Sequence, residues 1–370
     1  MMTEYRETLL LVFVGVQGCL GFLSDSMPHL EVLNGSIEVI SEVPFGGPRR
    51  GIVFLAHGCH HSATDFWPHS QHCIKCLGLA EQRRMVTELL SEGYGVVAVS
   101  SANRRRMCWS PTADRKRVLE ALQILRRREG WESLPLFAIG SSSGGRLIGS
   151  LVSEQSLKFD AVAIQGMAIA LRSGVDSFPP ALFVTMAKDR RTTRLVRALV
   201  TRLREHERPA LLLAVGPVPI QPSFFSDRIE EVDEELSSRL HKALLEKKLI
   251  DGKGWLRHNP RDSQRCPWRE AFSLIPELKK HGLSLTADRS SISEELNVAW
   301  ASHELTADFT KEILDWFACR GDLSKLKEQE DGSKRPNIRS SPASATTIHT
   351  EATTMVLVGT HSPMMHFTAA

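Results

Sequence analysis

The strongest chemical signal in the sequence is a serine with glycine two positions to either side, in the stretch Gly140-Ser-Ser-Ser-Gly144. An apolar run over residues 134–139 precedes it and is typical of a buried strand, whereas the small residues after it can open a helix. A strand that turns at once into a helix strains the backbone at the serine and exposes its Oγ. Glycines on both sides avoid clashes in such a turn. The pattern predicts Ser142 as a nucleophile, with Ser143 as the alternative because small residues flank it as well.

A serine hydroxyl is a weak nucleophile until a base takes its proton, and the base needs an acid to orient it. For a serine on this kind of turn, the acid and then the histidine follow along the chain. Asp189 comes just after an apolar strand predicted over residues 180–186. His303 comes just before an amphipathic helix predicted over residues 305–317. Ser142, Asp189 and His303 are therefore the predicted catalytic residues.

Both partners of the serine have rivals in the sequence. Asp189 lies among basic residues, as a solvated surface charge would, and His303 could instead cap a helix at the surface. The weaker candidates are Asp160 and Asp176 for the acid and His241, His258 and His281 for the base. These three histidines lie inside a segment predicted to be an insertion, residues 216–300, and this favours His303.

An attacked carbonyl also needs two backbone N–H donors to stabilise its developing negative charge. The residue directly after the nucleophile, Ser143, is predicted to supply one of them. Cys59 is predicted to supply the other from the loop His57-Gly-Cys59, which follows the first strand of the predicted parallel sheet. The glycine in that loop lets the backbone approach a substrate closely. His57 is predicted to brace the loop rather than to take part in the chemistry.

The elements that position these residues alternate between strand and helix. An Asn34-Gly35 turn between alternating apolar and polar residues predicts an antiparallel hairpin at the start of the chain. Strands are then predicted at residues 51–56, 94–101, 134–141, 159–164, 180–186 and 210–215, and helices at 79–92, 113–128, 145–154, 191–206 and 305–317. Such alternation predicts an α/β fold with a mostly parallel, doubly wound sheet.

One α/β domain is predicted over residues 29–320. Residues 216–300 break its alternation and are interpreted as a helical insertion or lid on the rim of the sheet, with too few apolar residues for a core of its own. Residues 321–370 are rich in Ser, Thr, Pro, Lys and Glu, which predicts a disordered tail.

The N-terminal residues 1–28 contain the most apolar stretch, residues 9–23. Its fifteen residues are short for a membrane-spanning helix and suit the core of a signal peptide better. A signal peptide, an uncleaved anchor and a buried N-terminal element remain alternatives. The secretory pathway or a membrane anchor through residues 9–23 is the favoured location, with the cytoplasm as the alternative.

The overall composition is that of a globular protein: 370 residues, 42% hydrophobic and 24% charged. The net charge of +3 is spread along the chain, so the arginine runs at 104–106 and 126–128 are interpreted as solvated surface. No zinc-finger, RNA-binding or phosphate-loop motif accompanies them. No nucleic-acid partner is expected, and the oligomeric state stays open.

Four of the seven cysteines, Cys59, Cys73, Cys76 and Cys108, fall near the predicted Cys59 loop. Disulfides, free thiols and a metal site using the Cys73-x-x-Cys76 spacing are the alternatives, and disulfides require an oxidising compartment. Loops after successive parallel strands emerge at one edge of a sheet, so the four thiols are expected to lie together. Because Cys73 and Cys76 are three positions apart, each is predicted to pair with a distant partner, Cys59 or Cys108.

Residues 51–317, about 70% of the chain, resemble the α/β-hydrolase superfamily. A closer resemblance is to a group of plant α/β-hydrolase-like proteins of undetermined activity. The motifs that carry it are His57-Gly-Cys-His-His-Ser62, Cys73-x-x-Cys76, Cys108-Trp109, Gly140-Ser-Ser-Ser-Gly-Gly145, Pro222-Ser-Phe-Phe-Ser-Asp-Arg228 and the segment from Glu294 to His303. The superfamily resemblance implies Ser142 as nucleophile, Asp189 as acid and His303 as base. The insertion of about 85 residues before His303 departs from the usual pattern.

The sequence thus predicts a serine hydrolase that cleaves an acyl ester or a related carbonyl of a small-molecule substrate, without a metal or an organic cofactor. A binding or regulatory protein on the same scaffold is one alternative, because a fold does not fix a function. An acyltransferase that uses the same serine is another.

Overall fold

The structure is a computed structural model, and it describes residues 27–153, 157–171 and 174–322. The apolar segment 9–23 lies outside the described residues, and so does nearly all of the predicted tail 321–370. No helix in the described ranges combines the length and the apolar character needed to cross a bilayer.

Eight strands of the described chain form one sheet in the order β1-β2-β4-β3-β5-β6-β7-β8. The strands are β1 His29–Leu33, β2 Ile37–Glu42, β3 Gly51–Ala56, β4 Tyr94–Val99, β5 Leu136–Ser141, β6 Ala161–Gln165, β7 Ala181–Met186 and β8 Ala210–Val215. β1 and β2 pair antiparallel, β2 joins β4 antiparallel, and all other pairs are parallel. This topology is the α/β-hydrolase fold, and the predicted fold class is confirmed.

The N-terminal hairpin turns at Asn34 and Gly35, whose φ angles are +45° and +69°. Positive φ at both central residues gives the turn a twist that matches the paired strands. The antiparallel hairpin that the sequence predicted is present, and it forms the edge of the sheet next to β4.

The helices of the described chain lie around the sheet. They are α1 Ala80–Ser91, α2 Pro111–Arg128, α3 Ser143–Val152, α4 Arg190–Glu205, α5 Glu234–Glu246, α6 Trp268–Ser273, α7 Glu277–Lys280, α8 Ser291–Trp300 and α9 Thr310–Cys319. Phe54 of β3 packs in one core cluster with residues of α2, α3 and α4. Its neighbour Val53 packs in a second cluster with residues of α1 and α9. The strands are apolar on both faces because both are covered.

Helix α9 begins at Thr310, five residues later than predicted. The segment before it is held out of helical geometry by Gln165, whose amide donates to the carbonyl of Thr306 at 3.0 Å and accepts from its N–H at 2.9 Å. The N–H of Ala307 is also taken, because it donates to a carboxylate oxygen of Glu81 at 2.7 Å. These contacts leave an ordered loop that carries His303.

The insertion has a hydrophobic core of its own, so the expectation of too few apolar residues was wrong. Trp268 and Phe272 of α6 are fully buried and pack with side chains from α5 and α8 and from the loops between them. These apolar residues are scattered singly along short elements, so their local density in the sequence is low. Whether residues 216–300 act as a lid stays a prediction.

A buried ionic network ties the insertion to the sheet domain. Arg228, from the insertion, pairs with Glu295, with Glu81 at 3.2 Å and with Asp308 at 2.9 Å. Desolvation would raise the pKa of Glu81, but the charges of Arg228 and Arg84 lower it to about 2. Burial raises the pKa of Glu295 well above its ordinary value. Arg228 is therefore a counter-charge for the ionised carboxylate of Glu81, which cannot reach water, and its neighbour Glu295 is favoured in the protonated form.

Removing this arginine should destabilise the protein strongly. We expect Arg228→Met to lower the free energy of unfolding by about 3–5 kcal/mol, since the buried carboxylate of Glu81 loses a counter-charge and Glu295 loses its hydrogen-bond partner. Denaturant unfolding checks this, with Arg197→Met as the matched control because Arg197 lies exposed on α4. Equal losses in both variants would contradict the assignment of a structural role to the network.

Candidate active site

Ser142 occupies the sharp turn between β5 and α3. Its φ and ψ are +50° and −113°, a conformation that a residue with a side chain rarely adopts. The strain is compensated because its N–H donates to the carbonyl of Gln165 at 2.9 Å, next to the end of β6. The turn therefore presents the serine side chain at the carboxyl edge of the sheet.

The glycines around Ser142 are required by close backbone approach. A Cβ added at Gly144 would lie 2.1 Å from the carbonyl oxygen of Ala56, and one at Gly140 would lie 2.8 Å from the backbone of Gly144. Gly145 faces β6, where a Cβ would lie 2.7 Å from the side chain of Ile164. The first turn of α3 thus packs directly on the ends of neighbouring strands.

The structure brings Ser142, His303 and Asp189 into one hydrogen-bonded chain. Ser142 Oγ lies 3.0 Å from His303 Nε2, and His303 Nδ1 lies 2.8 Å from Asp189 Oδ2. A carboxylate only accepts, so Nδ1 carries the proton and Nε2 is left to accept from the serine hydroxyl. Residues that are 161 and 114 positions apart along the chain therefore meet in the order nucleophile, base, acid.

Asp189 is fixed by its position at the start of α4. Its Oδ1 accepts the N–H of Thr192 at 3.1 Å, as a helix N-cap does, while Oδ2 faces His303. Partial burial raises the pKa of this carboxyl, but hydrogen bonds from His303 and Thr192 lower it by more than burial raises it. The net pKa is below its ordinary value. The group is an ionised acceptor that can orient the imidazole.

His303 lies in a loop with unusual backbone geometry. Ala301, at the end of α8, and His303 have φ angles of +58° and +46°. Arg261 from the insertion donates to the carbonyls of Ser302 and His303, each at 3.0 Å, and to Glu304 at 2.8 Å. The insertion therefore shapes the loop that carries His303, the predicted base. Sequence reasoning missed Arg261, since no motif marks it.

The two predicted N–H donors lie in the segments next to Ser142 and next to Gly58. Ser143 is the first residue of α3, where a helix leaves its N–H groups free, and Cys59 lines the cavity in front of Ser142. Neither N–H has a hydrogen-bond partner within the described part of the chain. The two segments come close together, because a Cβ added at Gly58 would lie 3.9 Å from the Cβ of Ser142. Both N–H groups are therefore free to donate to another group near Ser142.

The side chain of His57, the first residue of this loop, is buried and holds the loop in place. Its Nδ1 donates to the carbonyl of Gly58 at 2.6 Å, and its Nε2 accepts from the N–H of Ser101 at 3.1 Å. Trp109 packs against the imidazole with ring centroids 4.6 Å apart and donates to the carbonyl of His57 at 2.8 Å. Burial lowers the pKa of His57 to about 4, so the ring stays neutral. This geometry fits the bracing role.

Two disulfides are present in the described part of the chain. Cys59 is bonded to Cys108, which ties the donor loop to the segment before Trp109. Cys73 is bonded to Cys76, so the prediction that each pairs with a distant partner was wrong. Residues 70–76 fold into tight turns that bring the two Cα atoms to 5.3 Å, within the ordinary disulfide range.

The rival candidates lie elsewhere. Asp160 accepts the N–H of Leu136 at 3.0 Å, and Asp176 pairs with His206 at 2.8 Å. None of the weaker candidates for acid or base lines the cavity around Ser142. Among the described residues, no cluster of His, Cys, Asp and Glu side chains is arranged to hold a metal ion.

The cavity in front of Ser142 is small, with a volume of about 220 Å³, and both polar and apolar atoms line it. Drug-sized ligands usually occupy about 300–1,000 Å³. The insertion contributes Arg261 and Asp288 to its wall, and the apolar lining is limited to Phe66 and Leu305. The site therefore suits a short group.

No protein-family model matches the sequence, and no curated protein is significantly similar to it. A sugar hydrolase from Lactococcus lactis is 14% identical over 69% of this chain and 100% of its own, with a TM-score of 0.41. A carboxylesterase from Mesorhizobium loti is 18% identical over 51% and 90% of the two chains, with a TM-score of 0.40. A dienelactone hydrolase from Anabaena variabilis is 15% identical over 53% and 87%, with a TM-score of 0.40. Similarity at this level carries no argument about the reaction, and the closer resemblance to plant proteins stays a prediction.

The contact between α3 and β3 predicts that a single methyl group added at Gly144 destabilises the protein strongly. We expect Gly144→Ala to lower the free energy of unfolding by about 3 kcal/mol or more, because backbone has to move to admit the Cβ. Thermal and denaturant unfolding measure this. Gly252→Ala is the matched control, since a Cβ there meets nothing within 4 Å. A Gly144→Ala protein as stable as the control would contradict this account of the turn.

His57 predicts a pH dependence of stability. The unfolded chain takes up a proton near pH 6.5, whereas the folded protein does so only near pH 4. The contribution of the neutral His57 to the free energy of unfolding is therefore complete above pH 6.5. About 3 kcal/mol of it is lost as the pH falls to 4. We expect His57→Gln to lose less stability than the unmutated protein between pH 7.5 and pH 4.5, measured by denaturant unfolding. The exposed His258→Gln should keep the full dependence, and identical profiles for all three proteins would rule the effect out.

Proposed function

We propose that this protein is a serine hydrolase that cleaves an ester, or a related acyl compound, of a small molecule. The observation that carries the proposal is the continuous hydrogen-bonded chain from Ser142 Oγ through His303 to Asp189, with distances of 3.0 and 2.8 Å. Its placement at the carboxyl edge of an α/β-hydrolase sheet supports the same reaction class.

In the first half of the reaction, His303 Nε2 removes the proton of Ser142 while Oγ forms a bond to the carbonyl carbon of the substrate. The π electrons of the carbonyl move to its oxygen, which becomes an oxyanion. Asp189 holds the imidazole in the required tautomer and stabilises the imidazolium that forms, without taking the proton itself. Its lowered pKa keeps the carboxylate ionised throughout.

The N–H groups of Cys59 and Ser143 stabilise the oxyanion. Such donors are effective because they are oriented before the reaction and need no reorganisation during it. The disulfide of Cys59 and the buried His57 hold one donor in place, and the N-terminus of α3 holds the other. The partial positive charge of that helix end adds to the effect.

Collapse of the tetrahedral intermediate breaks the bond to the leaving oxygen, which takes the proton from His303 and departs as an alcohol. Water then enters, gives its proton to His303 and attacks the acyl carbon. The second intermediate releases the acid and returns the proton to Ser142. The residues named supply every proton transfer, so the proposal needs no cofactor.

The proposal predicts that Ser142→Ala lowers the turnover of a short-chain aryl ester by at least about 10³-fold while the protein still unfolds cooperatively. Labelling by a fluorophosphonate probe should be lost in the same variant. Ser150→Ala is the control, because Ser150 lies on α3 and its hydroxyl only bonds the carbonyl of Leu147.

Three other outcomes would change the assignment. Full activity in Ser142→Ala together with loss in Ser143→Ala would move the nucleophile to the second serine. No labelling of the unmutated protein would favour a binding protein on the same scaffold. Turnover that depends on an added alcohol acceptor would favour an acyltransferase.

A further inference from the structure

Gln82 is a polar side chain without a partner in the wall of the cavity. It lies in the first turn of α1, only 3% exposed, and lines the same cavity as Ser142. No hydrogen bond of its amide is found within the described residues, and its Oε1 is fully buried. A buried amide without partners is costly, so such a group in a cavity wall is suited to bind a polar ligand. A half-turn of the amide exchanges its oxygen and nitrogen, so either can face the cavity.

His61 presents a second hydrogen-bonding atom to this cavity. Its Nδ1 is engaged with Asp65 Oδ2 at 2.9 Å, and its Nε2 has no partner in the described structure. Burial alone would lower the pKa of His61, but the hydrogen bond to Asp65 and the charges of Asp65, Glu304 and Asp288 raise it overall. In the imidazolium form Nε2 is a donor. The ring lies close to the reacting serine. A Cβ added at Gly58 would lie 3.7 Å from Cδ2 of His61 and 3.9 Å from the Cβ of Ser142.

The charges around the cavity disfavour an anionic substrate. Asp65, Asp288 and Glu304 surround His61, as its raised pKa reflects. The one guanidinium in the wall, that of Arg261, already bonds Glu304 and two backbone carbonyls. A carboxylate in the acyl group would meet more negative than free positive charge. A neutral group that both donates and accepts fits this wall better.

We propose that the substrate is an ester of a short hydroxyacyl group, whose hydroxyl forms hydrogen bonds with the side-chain amide of Gln82 and with Nε2 of His61. This inference rests on the proposed hydrolase function and adds its substrate class. The small cavity limits the length of the acyl chain. Selectivity follows because an apolar acyl group leaves both protein groups without partners, and such sites reject analogues that lack the hydroxyl.

The test uses two aryl esters of equal size, those of 2-hydroxypropanoic and 2-methylpropanoic acid, which differ by a hydroxyl in place of a methyl group. We expect kcat/KM to favour the hydroxy ester by about tenfold or more. Gln82→Met keeps the length of the side chain but removes both polar atoms, and it should bring the ratio close to one. Gln71→Met is the matched control in an exposed loop and should keep the ratio.

His61 is tested with two amides of different reach. Asn places its amide where Nδ1 lies and can keep the bond to Asp65, but it has no atom at the position of Nε2. Gln reaches that position. We therefore expect His61→Asn to lose the preference for the hydroxy ester and His61→Gln to keep part of it, with the main change in KM for the hydroxy ester. A purely structural role of His61 would lower the turnover of both esters equally.

The outcomes separate this inference from the function on which it rests. Three results would overturn the substrate class and leave the hydrolase proposal standing. The first is a kcat/KM ratio of the two esters near one in the unmutated protein, and the second is an unchanged ratio in Gln82→Met. The third is no turnover of the hydroxy ester by protein that a fluorophosphonate labels at Ser142. Failure of Ser142 to be labelled would overturn both.

Discussion

The close packing of α3 against the end of β3 is the contact on which the site depends. Gly144 lies so near the carbonyl of Ala56 that no side chain fits between them, and this contact forces the strained turn at Ser142. Because β3 and β5 are neighbours in the sheet, the loop after β3 and the turn after β5 emerge side by side. The order of these two strands therefore brings Ser142 close to the loop of Cys59, one of the two proposed oxyanion donors.

The base depends on contacts that the sheet alone does not provide. His303 follows directly after the insertion, whose own core fixes α8 and whose Arg261 binds the carbonyl of His303. On the other side, Gln165 at the end of β6 holds the backbone of Thr306 through two hydrogen bonds. A long insertion before the predicted base is compatible with the observed chain of Ser142, His303 and Asp189, because contacts on both sides hold the loop of His303.

The order of elements and the catalytic candidates could be predicted from the sequence because they follow local patterns. The Asn34-Gly35 turn, the apolar strands and the glycines around Ser142 are each marked within a few residues. The late start of α9 could not be predicted, because Gln165 and Thr306 are 141 positions apart. The Cys73–Cys76 bond depends on a turn with no regular pattern, and Gln82 has no motif at all. What sequence reasoning missed is fixed by contacts between distant segments.

The residues that line the cavity differ in whether their hydrogen-bonding groups are already used. The loop of Cys59 is held by a disulfide, by a buried neutral histidine and by Trp109, so the N–H proposed as an oxyanion donor stays in a fixed position. Gln82 and His61 in the same lining, and the exposed Asp288, offer hydrogen-bonding atoms that the described protein does not use itself. Fixed donors suit the transition-state stabilisation proposed for Cys59. Unpaired groups suit substrate selection, because a partner group on the substrate satisfies them only when it is present.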